Sequence, residues 1–213
     1  LTSFNEDTLV QRTTAEYLEK QHGWESIFAY NEETFGPDGL LGRVSDRDFV
    51  LTKILRAKLV EFNPGLPEKV YDDAVRQVVE SSSTQSLVAI NREKYDQIRN
   101  GVQVTYRNEK GERVRERLKF FYFQEPDNNH FLCVRELWIK GVLYRRRPDI
   151  IGFVNGLPLL FIECKNIHKD LKVAFEDNYS DYRDTIPQIF HHNAIVLFGN
   201  GDKAKIGTIT SNW

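Results

Sequence analysis

The chain has 213 residues, 40% of them hydrophobic and 28% charged, with a formal net charge of −2. A balance this close to neutral excludes a protein that coats nucleic acid through counterion release alone, and no apolar run approaches the roughly 18 residues needed to cross a bilayer. Leu1 to Asp7 lack the charged-then-apolar pattern of a secretory signal, so a cytoplasmic location is expected.

Length and the lack of a Pro/Gly/Ser-rich linker favour one domain over residues 1–213, with a mostly helical layer over 1–100 and a sheet-bearing core over 101–213. Apolar residues at helical spacing predict a helix from near Asn5 to Gly23, where Ser3 and Glu6 form a capping-box pattern. Further helices are expected at about Asp46–Glu61, Glu68–Glu80 and Gln85–Arg99. The period then changes to two, and strands are expected at about 102–107, 113–123, 131–139, 149–154, 158–164, 194–198 and 205–210. A helix over about Leu171–Tyr182 separates the fifth strand from the sixth and reads as a crossover between parallel neighbours, giving an α/β fold with a mixed sheet.

Cys133 and Cys164 sit in apolar strand-like runs, where thiols pack as small hydrophobes, so neither a disulfide nor a zinc site is expected. His22, His130, His168, His191 and His192 show no metal-ligand spacing. Basic charge is concentrated in residues 101–150, which carry 11 basic against 7 acidic side chains. Arg113, Arg115, Arg117 and Lys119, and then Arg145, Arg146 and Arg147, could follow a phosphate backbone or form solvated strand faces. Gly199-Asn200-Gly201-Asp202-Lys203 lacks the spacing of a phosphate-binding loop and reads as a turn.

The segment from Arg147 to Lys165 concentrates chemistry. Asp149 opens one apolar strand; on the next, Glu163 and Lys165 are two residues apart and project to one face, with Cys164 on the other. Two carboxylates and an ammonium are what metal-assisted phosphodiester hydrolysis requires, because a hard divalent cation takes oxygen ligands and an ammonium offsets phosphate charge. Register decides whether they meet. A plain two-residue Asn155-Gly156 turn would pair Asp149 with Ile162 and put the two acids on opposite faces. An odd-residue connection or a bulge at Gly156 is therefore expected, placing Asp149 across from Glu163.

On these residues, Arg146-Arg147-Pro148-Asp149, Val154-Asn155-Gly156-Leu157-Pro158-Leu159 and Ile162-Glu163-Cys164-Lys165-Asn166, the chain resembles the amino-terminal nuclease domain of the restriction (R) subunit of type I restriction-modification enzymes, in the PD-(D/E)xK superfamily. The resemblance implies a nuclease-like mixed sheet flanked by helices. It also implies Mg2+, with Mn2+ substituting, bound by Asp149, Glu163 and the Cys164 backbone carbonyl, and Lys165 completing the catalytic set. Glu6 matches an acid that the family often carries on its first helix near the metal, although capping with Ser3 explains the same residue. Asn178 and Tyr182 fall where the family has a Gln-x-x-x-Tyr pair, with Asn in place of Gln, and together with Arg145 and Arg147 they are the expected DNA contacts. The chain would then be a fragment of a longer subunit, whose ATP-driven motor lies outside it and whose methylase and specificity partners choose the site on double-stranded DNA. Two rivals stay open: an autonomous nuclease of the same superfamily, and a non-catalytic docking module.

Overall fold

The computed structural model describes residues 6–213, with side chains from Leu9 onward. Ser3 lies outside the described residues, as does the side chain of Glu6, so the capping box and the proposed metal contact of Glu6 fall there too.

The first hundred residues form α1 (Glu6–His22), β1 (Glu25–Phe28), α2 (Thr52–Phe62), α3 (Glu68–Val79) and α4 (Leu87–Asn100). The strong repeat of Val70, Ala74 and Val78 buries one face of α3, and its bounds follow the sequence pattern closely. By contrast, α2 starts at Thr52 rather than at Asp46. Asp48 is committed to a turn, its carboxylate accepting from the Val44 and Ser45 backbone N–H groups at 2.7 and 3.2 Å. Such side chain to backbone bonds compete with a helix start.

Strands β2 (Val102–Arg107) and β3 (Arg113–Leu118) form a separate antiparallel ribbon. The predicted strand to residue 123 ends at Leu118 because the consecutive Phe120 and Phe121 are both buried, which an alternating strand cannot do. Similarly, the strand expected over 131–139 divides into β4 (Phe131–Arg135) and β5 (Ile139–Lys140) at Glu136, whose φ is +56°. β5 pairs with β6 (Arg145–Arg146) in a small hairpin.

The main sheet adds β7 (Ile150–Val154), β8 (Leu157–Cys164), β9 (Ile195–Gly199) and β10 (Ala204–Gly207), in the order β1-β4-β7-β8-β9-β10. β1 runs parallel to β4 and β8 parallel to β9, and the remaining pairs are antiparallel, so the sheet is mixed. A helix over 171–185, here α5, makes the crossover between β8 and β9. It is α-helical at Leu171–Val173, π-helical over Ala174–Tyr179 and α-helical again over Ser180–Thr185.

Two cores cover the sheet. On one face Ile151, Phe153, Phe161, Val196 and Phe198 pack with Tyr179 and Tyr182 of α5 and with Phe190. On the other, Cys133, Ile150, Ile162 and Cys164 pack against Ala15 of α1. A third cluster joins α2 and α3 to the β2–β3 ribbon and to Val154 and Leu157. Both cysteines are buried thiols, and burial pushes the Cys133 thiol up to about 12.

Candidate active site

The β7–β8 hairpin does close through the two residues Asn155 and Gly156, with Val154 opposite Leu157 and Phe153 opposite Pro158. Both turn residues have positive φ, 50° and 83°, as a tight hairpin turn of the favoured twist requires. The bulge predicted at Gly156 is therefore not there. It lies three residues further on: the register jumps between Phe153 and Gly152, whose partner is Leu160, leaving Leu159 as the extra residue.

Local packing explains this position. Gly152 has no side chain, and a Cβ there would come within 2.8 Å of Leu160 and 2.9 Å of Trp24, so only glycine permits the close approach. The carbonyl of Leu159 is not wasted, since it accepts from the Ala194 backbone N–H at 2.8 Å and from Asn193 Nδ2 at 3.2 Å. Beyond the bulge Ile151 faces Phe161 and Ile150 faces Ile162, so Asp149 comes next to Glu163.

Each side chain is then fixed individually. The Asp149 backbone carbonyl accepts from the Glu136 N–H at 2.9 Å, tying the start of β7 to the end of β4. Asp149 Oδ2 accepts from the Cys164 backbone N–H at 2.7 Å, and Oδ1 accepts from Gln11 Nε2 at 2.6 Å. Glu163 is 1% exposed, and its Oε1 accepts from Lys165 Nζ at 3.1 Å. Among the described residues its Oε2 has no hydrogen-bond partner, an unusual condition for a buried carboxylate oxygen. Lys165 is itself buried, held by its backbone N–H to the Gly199 carbonyl at 2.8 Å.

Burial raises the Glu163 pKa above the ordinary carboxylate range, and the neighbouring Asp149 charge raises it further, while the Lys165 ammonium opposes both. The Tyr182 phenol is likewise pushed up, first by burial and then by the charges of Glu163 and Asp149. Thus α5 turns Tyr182 toward the carboxylates, with Asn178 one turn earlier on the same helix. A π-helical segment immediately precedes Tyr182, and such insertions re-phase a helix and recur at functional sites.

The arginines sit differently. Arg145 pairs with Asp46 at 2.8 Å and lies over Trp138; Arg146 pairs with Asp181 at 2.5 and 2.9 Å; Arg147 pairs with Glu136 at 2.9 Å and lies over Tyr30. All three guanidinium groups thus already have a carboxylate. Arg113, Arg115 and Arg117 lie along the exposed β3 edge of the separate ribbon. Gln11, by contrast, was not singled out by any motif. The only signal available for it was its place on the inward face of α1, one helical turn before the buried Ala15.

The donor set fits a hard divalent cation. Two carboxylates with an unpartnered buried oxygen converge beside the Cys164 backbone, and among the described residues no group of three or more His, Cys, Asp or Glu side chains forms an alternative centre. Magnesium is commonly held by one or two carboxylates, with water and substrate oxygens filling the shell.

Residues 3–213 match the model of the family described as type I restriction enzyme R protein N terminus. The chain is similar to the endonuclease subunit of the type I restriction enzyme HindI of Haemophilus influenzae, at 33% identity over 195 residues, covering 90% of this chain and 18% of that protein. It is also similar to the putative type I restriction enzyme MjaIXP endonuclease subunit of Methanocaldococcus jannaschii, at 26% identity over 219 residues, covering 98% of this chain and 20% of that protein. The chain therefore spans about a fifth of the length of these relatives. With the match extending from residue 3 to residue 213, the chain belongs to the family of type I restriction enzyme R protein N termini.

Proposed function

We propose that this chain is the metal-dependent endonuclease domain of a type I restriction enzyme, hydrolysing phosphodiesters of double-stranded DNA. The observation that carries the reading is the bulge at Leu159, which sets Asp149 across from Glu163 and, with it, Lys165. A strand pair without that extra residue would leave the acids on opposite faces and no site at all.

Asp149, Glu163 and the Cys164 backbone carbonyl would hold Mg2+, with Mn2+ as a substitute. When bound, such an ion supplies positive charge to the phosphate and makes a coordinated water acidic enough to attack at neutral pH. Asp149 is presented in one orientation by Gln11 and the Cys164 N–H. Glu163 offers its unpartnered Oε2. Lys165 directs its ammonium to the same face, where it donates to a phosphate oxygen and offsets charge developing on it, a preorganised contribution typically worth about a hundred- to a thousandfold in rate. Tyr182, buried and near the carboxylates, keeps a neutral O–H that can donate a hydrogen bond without adding charge.

The rest of the activity belongs to the longer subunit. An ATP-driven motor, together with methylase and specificity partners, would bring DNA to a domain that has no base-reading task of its own. In that assembled enzyme Asp149→Ala, Glu163→Ala and Lys165→Ala should each abolish cutting while DNA-stimulated ATP hydrolysis persists. Joint loss of both activities would overturn a nuclease-only role. Manganese density between Asp149 and Glu163 in soaked crystals would test the metal directly.

A further inference from the structure

The arginines directly preceding Asp149 are neutralised, whereas three lysines around the loops beyond Lys165 are not. Arg145, Arg146 and Arg147 pair with Asp46, Asp181 and Glu136. Beyond Lys165 the chain enters an exposed loop carrying His168 and Lys169, and the adjacent β9–β10 turn carries Lys203, with Lys205 on β10. Among the described residues none of Lys169, Lys203 and Lys205 has a carboxylate within 4.0 Å, although Lys205 Nζ lies 3.7 Å from the centre of the Trp213 ring.

These side chains are not scattered. They line one cleft of about 510 Å³ with Asn200, Asp170, Asp202 and Trp213. Asn200, 4% exposed, ties its two walls together: Nδ2 donates to the Lys169 carbonyl at 3.0 Å and the Ile167 carbonyl at 3.4 Å, while Oδ1 accepts from the Lys203 N–H at 2.9 Å and the Asp202 N–H at 3.2 Å. One buried amide thus fixes the spacing of the two lysine-bearing loops. Of the two acids, Asp170 is turned back on its own helix, its Oδ1 accepting from the Lys172 N–H at 2.9 Å.

The cleft opens at the same end of the sheet as the carboxylates. Cys164 is in register with Gly199, and the Lys165 N–H bonds the Gly199 carbonyl, so the strand leading into Asn200 runs alongside Glu163 and Lys165 at the usual strand spacing of about 4.8 Å. Each DNA strand carries one phosphate per roughly 3.4 Å of helix axis. A strand whose scissile phosphate lies at Lys165 and that runs toward β10 carries its neighbouring phosphates over this cleft.

We propose that the Lys169–Lys203 cleft is the binding track for the phosphate backbone flanking the scissile bond, replacing the arginine triplet in that role. The proposal rests on the nuclease reading for the identity of the ligand. Binding measured without cleavage separates the two. The probe is a short fluorescent DNA duplex titrated with this chain over a range of salt concentrations, with Ca2+ in place of Mg2+.

Lys169→Glu combined with Lys203→Glu should lower affinity at least tenfold and reduce the slope of log affinity against log salt by about 1.8, at about 0.9 per lost phosphate contact. Lys69→Glu with Lys110→Glu, an equal change in net charge on α3 and the β2–β3 turn, should leave the slope within error. Manganese binding at Asp149, read by calorimetry, should be the same in all three proteins. An unchanged slope in the cleft variant would overturn the proposal. So would an equal loss in the control pair, or the absence of any DNA binding by the wild-type chain. An assembled enzyme that binds DNA through the cleft yet never cuts would instead refute the nuclease reading alone.

Discussion

Gln11 and Asp149 stand 138 residues apart in the chain, and the Gln11 amide donates to Asp149 Oδ1 at 2.6 Å. The first helix thereby sets the rotation of a carboxylate that opens the seventh strand. With Oδ2 held by the Cys164 N–H, Asp149 has little freedom left. Groups that orient a metal-binding carboxylate typically contribute about 10- to 100-fold in metal affinity. Gln11→Leu keeps the bulk and the helix but removes the donor. Calorimetric titration of Mn2+ into this chain should show about tenfold weaker binding at unchanged stoichiometry, and equal affinity in the folded variant would mean that Gln11 is only packing.

Glu163 gives a stability prediction whose sign is fixed by its surroundings. Burial, then Asp149, raises its folded-state pKa above the unfolded value. Its contribution is therefore fully present below the unfolded pKa and is lost as pH rises through the folded one. Above that window the metal-free protein carries an ill-solvated charge. Glu163→Gln removes it, so thermal unfolding in a chelator should show a higher Tm for the variant, with the gap opening as pH rises and about 2–4 °C for each kcal/mol in a domain of this size. Added Mg2+ should stabilise wild type and leave the variant nearly unmoved, since a ligand stabilises only the state that binds it. A variant that melts lower than wild type without metal at alkaline pH would contradict the assignment.

How much of this the sequence disclosed depends on how local each cause is. β2, with its alternating Val102 and Val104, and α3, with its repeating valines, carry their periodicity within a few residues, and both appear where the pattern put them. β1 has only the four residues Glu25–Phe28 and no alternation to betray it; it is a strand because β4 lies beside it. Asp149, Glu163 and Lys165 were legible as a set because one hairpin holds them all. The position of the bulge was not, because it depends on Trp24 pressing on Gly152 from across the sheet. Long-range partners stayed hidden for the same reason: nothing near Arg145 or Arg146 in the sequence announces Asp46 or Asp181.

The hairpin turn offers a second stability test. Gly156 has φ +83°, and a Cβ there would fall 2.4 Å from the Leu51 carbonyl oxygen, which is backbone and has little room to yield. The Gly156 carbonyl meanwhile accepts from the Leu51 N–H at 2.8 Å, so the turn cannot shift without breaking the junction with α2. Gly156→Ala should destabilise the chain by about 2–4 kcal/mol, from left-handed strain together with overpacking. Urea unfolding monitored by tryptophan fluorescence would measure it; a loss below about 1 kcal/mol would mean that the Leu51 contact relaxes freely.

His191 and His192 predict where the protein loses stability in acid. His192 is fully buried beneath Phe49, its Nε2 lies 2.9 Å from the Val78 carbonyl oxygen, and its Nδ1 has no partner among the described residues. Burial pushes its pKa down to about 3 and that of His191 to about 4, and the nearby Lys94 ammonium lowers both. Both folded values lie below the unfolded one of about 6.5, so the stability they confer is present above about pH 6.5 and is lost as pH falls toward their folded values. In that window the unfolded chain takes up protons that the folded chain refuses, and unfolding free energy should fall by about 1.4 kcal/mol per pH unit for each histidine. His192→Gln, a neutral side chain that can still donate to Val78, should lower stability at neutral pH through imperfect packing yet flatten the acid limb by one proton's worth of slope. Urea unfolding of both proteins across this pH range would check it; parallel curves would mean that His192 titrates normally and that the acid sensitivity lies elsewhere.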